Sequence, residues 1–498
     1  MNDFSQPRKQ EPIGVIVMFL ENVRKIIRMF IAIIAFAVLK NDIGMYVWIG
    51  AGFVITVTAV ITWLQFEKFK FYIEDGELIL QKGLFVKEKL NIPFERIQTV
   101  NLQQNIVQQV LGLTGLKIDT AGSGKEELNI RALKKDDALA LQEALDSAFE
   151  PAEDSEVQMT KEGVEATNQK LNYQTLVKLN LKQLLLLGAT ENHLRSGFIA
   201  FALIWGYGSQ LAEYFSDYSE AVTEDIEANL IQAGWIGLLI FITLFILFSV
   251  VTSFGRVILK FFNLHAQLNN ENLQVKAGLL KRNEHTIPLN KIQIIQWEDN
   301  FIRRYFKFKS LKLFQGRSEE TVNSKKTIEV PACFHEQEEK VMEVLFPDSH
   351  QQLVSETFSP HIHQARILAI VFSILSLLAA SALLIISSGA LLAVAPVLMS
   401  GIIFLSWKYV KTISFTVGNK QLCISKGWLF KKEIFFKTYR CQGVEYKQSI
   451  FLKRRKLAHL TIHTAAGSRI IRYLKEEDCL KAYNYLLSEI EKHKGSWM

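Results

Sequence analysis

The chain has 498 residues, of which 49% are hydrophobic and 21% charged, with a mean hydropathy of +0.14. That is too apolar for an ordinary soluble protein and too charged for a bare helical bundle, so membrane helices alternating with water-exposed domains fit best. The net charge of +7 with a pI near 8.9 is modest for this length and excludes a strongly basic nucleic-acid binder; Lys and Arg gathered on the cytoplasmic side of a membrane account for the excess.

From the N-terminus, the polar run MNDFSQPRKQEP lacks a cleavable signal pattern, so the first apolar segment reads as an uncleaved signal anchor. Six stretches approach the roughly 20 apolar residues a span requires: about 26–39, 45–64, 197–214, 231–254, 367–387 and 391–407. They pair into three hairpins by loop length. Only KNDIG separates the first two and SSGA the last two, while the middle pair is joined by the acidic SQLAEYFSDYSEAVTEDIEAN. The opposite span ends carry Arg24, Lys25, Arg28, Lys68, Lys70, Arg195, Arg256, Lys260, Arg366, Lys408 and Lys411. The positive-inside rule therefore places both termini and all three large soluble segments in the cytoplasm. Inside Arg28 and Glu213 near their ends, the cores of the six stretches contain no Asp, Glu, Lys, Arg or His, which counts against transport, although a transporter or exporter using the six helices stands as the rival reading.

The stretch after each hairpin recurs three times without a gap over 36 residues: 83–118, 278–313 and 427–462. Gly83, Gly278 and Gly427 match, as do Gln98, Gln293 and Gln442. Each copy follows an alternating strand (ELILQK, NLQVKA, QLCISK) and a turn signal, which predicts a β-hairpin. The repeated glycine fits a turn that needs positive φ or a close backbone approach. A second hairpin and an amphipathic helix close each copy, as in DDALALQEALDSAF and EEDCLKAYNYLLSEI. Residues 151–169 read as a polar linker, and YQTLVKLNLKQLLLLGATENHL as an amphipathic helix or part of the buried packing.

These repeats resemble the bacterial pleckstrin-homology-like domain type 2 (domain of unknown function 304). Repeat one carries the resemblance best, through Ile92-Pro93, Ile97-Gln98, Gly112-Leu113 and Thr120-Ala121-Gly122. Repeat two lacks the T-A-G turn, and repeat three has Phe436-Lys437 in place of I-P. The resemblance implies an α+β membrane protein: six transmembrane helices in three hairpins, alternating with three pleckstrin-homology-like (PH-like) β-barrel or split-sandwich domains, each capped by a C-terminal helix. The divisions are 1–66 for hairpin one, 67–150 for domain one, 151–196 for linker and interfacial helix, and 197–256 for hairpin two. Domain two follows at 257–348, a linker at 349–366, hairpin three at 367–408 and domain three at 409–498. It further implies a smaller membrane protein with one such domain as partner, a role in protecting the envelope from membrane-active peptides, and no catalytic residues.

Searched for chemistry, the chain offers little. AGSGKEE at 121–127 lacks phosphate-loop spacing and reads as a hairpin turn. His459 and His463, four apart on a strand, lie about 13 Å from each other, too far for one metal. His361 and His363, before span five, belong at a wet interface. Cys333, Cys423, Cys441 and Cys479 form neither a disulfide framework nor a zinc pattern, and no metal, cofactor or enzymatic activity is expected. The basic segments are the candidate sites for lipid or partner. Lys453-Arg454-Arg455-Lys456 share a register with Arg303, Arg304 and Lys307; Lys281-Arg282 share a loop position with Lys431-Lys432. With Phe301, Ile302, Ile450 and Phe451 beside them, they are either solvated faces over core aliphatics or contacts to anionic headgroups, each nearby cation then contributing about 1 kcal/mol. Repeat one has Gln108-Gln109 instead, so the three domains are not expected to act alike.

Overall fold

The computed structural model describes residues 4–39, 45–84, 86–120, 128–146, 173–191, 193, 197–199, 201–202, 216–269, 272–316, 327–346, 356–384, 395–418 and 420–492. The first repeat contains β1 (Lys70–Glu74), β2 (Glu77–Lys82), β3 (Glu88–Pro93), β4 (Ile97–Gln104), α3 (Ile106–Val110), β5 (Leu113–Thr120), β6 (Leu128–Lys134) and α4 (Lys135–Asp146), after helices α1 (Gly14–Leu39) and α2 (Met45–Lys68). Next come β7 (Tyr173–Lys178), α5 (Leu181–Ala189) and α6 (Ser216–Phe261). The second repeat contains β8 (His265–Asn269), β9 (Asn272–Ala277), β10 (Arg282–Pro288), β11 (Ile292–Asn300), α7 (Phe301–Tyr305), β12 (Phe308–Gln315), β13 (Thr327–Phe334) and α8 (His335–Leu345). After β14 (Glu356–Phe358), α9 (His363–Leu384) and α10 (Ala395–Lys411), the third has β15 (Ser414–Val417), β16 (Gln421–Lys426), β17 (Phe430–Lys437), β18 (Cys441–Lys447), α11 (Ile450–Lys453), β19 (Leu457–Thr464), β20 (Arg469–Lys475) and α12 (Glu476–Lys492).

The repeated residues have repeated structural roles. Gly83, Gly278 and Gly427 have φ of +108, +116 and +101°, and a Cβ built on each meets a carbonyl oxygen three residues on, at 1.9–2.0 Å. Both reasons for a glycine therefore hold at all three turns. Gln98, Gln293 and Gln442 each sit where the strand register slips, between Ile97 and Thr99, Ile292 and Ile294, and Cys441 and Gly443. These glutamines mark a β-bulge that bends each repeat's fourth strand.

The chain divides into two compact units. One comprises Met1–Asn172, Lys178–His265 and Gln274–Thr286, and the other Tyr173–Val177, Ala266–Leu273 and Ile287–Met498. In the first, β1-β2-β3 form one antiparallel sheet and β6-β5-β4-β10 belong to another. Leu78, Leu116, Ile118 and Ile130 build the core with Leu141 and Leu145 of α4, all fully buried. In the second, strands run β13-β12-β11-β17-β16-β15-β14, and β18-β19-β20 form a separate sheet covered by Cys479, Ala482 and Leu486 of α12. Separate barrels were expected; instead, the fourth strand of one repeat pairs with the third strand of the next. His285 lies opposite Asn101 and Glu284 opposite Leu102 at one junction, Ile434 opposite Gln296 and Glu433 opposite Trp297 at the other. These are the same repeat positions, so both junctions share one register.

A second difference concerns the hairpins. Each was expected to precede its domain, but each interrupts it. Phe4 and Arg8 bond to Ile73 and Phe71 across hairpin one, with Phe4 in the core. Strand β7 lies beside β8, and β14 pairs with β15 across hairpin three, Thr357 opposite Thr416. A short extended segment before each apolar helical insertion thus closes onto the first strand after it. The leucine-rich segment, expected to be an amphipathic helix or part of the buried packing, is β7 followed by α5; Leu176, Leu184 and Leu187 are buried, and Gly188 rests against Phe254 of α6.

Among the described residues, two stretches are long and apolar enough to cross a membrane, Ile49–Lys68 and Ile242–Phe261, and His363–Leu377 is a shorter apolar stretch. The first expected span lies in α1, which starts at Gly14 and buries Val17 against Leu113 and Ala132. The acidic connection expected to be a loop is helical from Ser216 onward, as part of the 46-residue α6. At 1.5 Å per residue α6 is roughly 70 Å long, more than twice the hydrocarbon thickness. The tips KNDIG and SSGA, most of the third span, the 151–169 linker and the AGSGKEE turn lie outside the described residues.

Candidate lipid-contact tips

The loop between the fourth and fifth strands of each repeat is built by one recipe. Asn105, Asn300 and Ser449 each cap a helix of four or five residues, accepting from the backbone N–H of Gln108, Arg303 and Leu452. An N-cap of this kind satisfies a donor that the short helix leaves open. The helix then exits through a left-handed residue: Gly112 (φ +67°), Lys307 (φ +56°) and Lys456 (φ +52°). Glycine takes this conformation freely, whereas lysine is strained by roughly 1 kcal/mol. Repeats two and three therefore hold a strained, exposed cation where repeat one has the relaxed residue.

Between cap and exit, the third position after the cap faces inward: Gln108, Arg303 and Leu452 are buried. The outward positions are large and apolar. Ile106 and Val110 stand out in repeat one, Phe301, Tyr305 and Phe306 in repeat two, Ile450 and Phe451 in repeat three, with Tyr305 82% and Val110 81% exposed. Of the hydrophobic residues singled out from sequence, Ile302 is half-buried and the other three are exposed. Ile106, Val110 and Tyr305 were missed, although i, i+4 spacing after a repeated Asn/Ser cap would have flagged them.

The candidate basic residues separate into two groups. Arg303 is internal: its guanidinium donates to Ser310 Oγ at 3.0 Å and lies 6.0 Å from the Phe308 ring centroid. Arg304 reaches Asp299 at 2.8 Å and the Trp428 carbonyl at 3.2 Å. Lys431 pairs with Glu433 at 2.5 Å and Lys432 with Glu298 at 2.9 Å. Glu298 also holds Lys312, and Glu433 holds Lys309, which reaches on to Glu338. Burial pushes the Glu298 and Glu433 carboxyls up, but the lysine hydrogen bonds outweigh it and hold both below the usual carboxylate range. The Glu298–Lys432 pair ties β11 to β17, and Lys309 ties β12 to β17. Lys281, Arg282, Lys307, Lys453, Arg454 and Lys456 are exposed.

Arg455 connects the third tip to a hairpin, donating to Nδ1 of His363 at the start of α9, at 2.7 Å. Burial and the Arg455 charge hold the His363 imidazole below its ordinary value, so it accepts as the neutral ring. Likewise Val107 and Leu111, on the inner side of the first tip, pack with Val17 of α1. In repeats one and three, the short helix thus lies at the foot of an apolar helix of its hairpin.

Sheets paired through bulged strands, capped turns and inserted apolar helices define a membrane-associated β-sheet protein with three tandem copies of one domain. The bacterial PH domain family matches residues 16–149, 223–345 and 366–490, and the chain belongs to that family. It is similar along its length to the UPF0699 transmembrane protein YdbT of Bacillus subtilis (strain 168), with 24% identity over 519 residues, covering 97% of this chain and 99% of the relative. No solved structure matches it significantly.

Proposed function

We propose that this chain is a non-enzymatic plasma-membrane scaffold, anchored by six spans in three hairpins, with termini and PH-like domains in the cytoplasm. Its three short helical tips dip their apolar residues into the headgroup layer. The observation that carries this reading is the position of the exposed apolar tips of repeats one and three beside the feet of their apolar helices, with Lys453, Arg454 and Lys456 around the third. Seating one large tip side chain in the acyl boundary contributes about 2 kcal/mol, and each adjacent cation about 1 kcal/mol beside anionic lipid. Clamping each hairpin between strands fixes the depth at which the tips are presented.

A probe at the tip tests this. The native thiols are poorly reactive, since burial pushes Cys423, Cys441 and Cys479 up to about 12 and Cys333 higher still. Phe451→Cys and Tyr305→Cys should therefore label selectively with a polarity-sensitive fluorophore in the full chain. Reconstituted in vesicles of 70% phosphatidylcholine and 30% phosphatidylglycerol, both labels are expected to shift to the blue and be quenched by shallow nitroxide lipids. Water-like emission with no lipid quenching at either site refutes the contact.

A further inference from the structure

Both internal junctions join the third strand of one repeat to the fourth strand of the repeat before it: β10 to β4, and β17 to β11. Two strands of the same kinds are left over. Strand β3 pairs only with β2, and β18 only with β19, among the described residues. The accessibility pattern agrees: Gln293 on β11 is buried, whereas its equivalent Gln442 on β18 is exposed. Open strand edges of this length are templates for a further strand.

We propose that the occupant is a second copy of this chain, with β18 of one copy pairing antiparallel to β3 of the next, head to tail. The register follows from the two internal junctions. Asn283 lies opposite Gln103 and Lys432 opposite Glu298; carried on by one repeat, this sets Glu88 of one copy opposite Lys447 of its neighbour. Charge supports it. At the second internal junction the pair is Lys432 with Glu298 at 2.9 Å. At the proposed junction both signs are reversed, so attraction is retained. Among the described residues, Glu88 and Lys447 pair with surface partners on their own sheets, Lys82 at 3.2 Å and Glu445 at 2.9 Å.

A second contact repeats as well. Gln109 donates to the Leu279 and Leu280 carbonyls, at 3.3 and 3.1 Å, and Arg304, one repeat later, to the Trp428 carbonyl. The third residue of this series is Lys453, an exposed donor, and the acceptor it would meet is the Leu84 carbonyl of the neighbouring copy. Because the two surfaces differ, the contact is heterologous, and adding copies leaves the same two edges at the ends until a ring closes.

Cysteine cross-linking in membranes tests the register. Directly opposite strand residues have Cα atoms about 4.5–5.5 Å apart, within disulfide reach. Full-length Glu88→Cys and Lys447→Cys chains bearing different tags are co-expressed and oxidised. The expected result is a disulfide between the two tags, with neither variant cross-linking to itself. Glu88→Lys and Lys447→Glu are each expected to lower the oligomer fraction in native mass spectrometry at least tenfold, and Glu88→Lys combined with Lys447→Glu to restore it. A Glu88→Cys self-cross-link, monomers throughout, or a different single-domain protein bound at these edges with no chain-to-chain bond overturns the proposal.

Discussion

Gly278→Ala and Gly427→Ala are each expected to destabilise the protein by about 3 kcal/mol. A methyl group at either site falls 2.0 Å from a backbone oxygen, that of Lys281 or Phe430, and φ there is +116 or +101°. The obstructing atom is main chain at the entrance to β10 or β17, so relief requires shifting the strand that carries the inter-repeat junction. Gly443→Ala is the control: its added Cβ meets nothing within 4 Å, and the change is expected to stay within about 0.5 kcal/mol. Denaturant unfolding of the detergent-solubilised chain separates them. Equal midpoints for Gly278→Ala and Gly443→Ala would show that the turn tolerates a side chain.

Glu298→Lys should be nearly as damaging. The carboxylate sits between Lys312 at 2.5 Å and Lys432 at 2.9 Å, with its side chain 17% exposed. Reversal gathers three ammonium groups on β11, β12 and β17, and is expected to cost about 2–3 kcal/mol. The figure is set below that for a fully buried pair because Lys432 remains 43% exposed and screened. Combining Glu298→Lys with Lys432→Glu is expected to recover part of the loss; no recovery would mean that the pair does not set the register. The carboxyl is held below its ordinary value, so its contribution is present at neutral pH. It disappears only as pH falls through that depressed value, below the usual carboxylate range.

Much of the domain was legible because the repeat compares three copies of one structure. The glycines announced a turn, and the Gly/Ser turn of repeat three at Ala465–Gly467 joins β19 to β20 as expected, with Gly467 at φ +104°. Strand pairing was harder to see. Alternation tells which residues face a core but not which strand lies alongside, and nothing local in NEHT distinguishes a partner in its own repeat from one in the preceding repeat. The six-residue stretch at 4–9 looked like a polar leader because one docked side chain, Phe4, carries its burial. Among the basic residues, charge alone could not separate Arg303, which turns inward onto Ser310, from Arg304, which reaches another repeat. The distinction comes from the pitch of a single helical turn.

Holding the tips at a fixed depth requires that each hairpin be inserted into its domain, closed by a strand on either side. A double Thr357→Cys, Thr416→Cys chain measures this directly. These residues lie opposite each other on β14 and β15, with their hydroxyls 3.1 Å apart. Mild oxidation in native membranes is expected to give a near-complete intramolecular disulfide, so that cleavage within hairpin three leaves the two fragments joined until reduction. Fragments that separate without reductant would contradict the inserted arrangement.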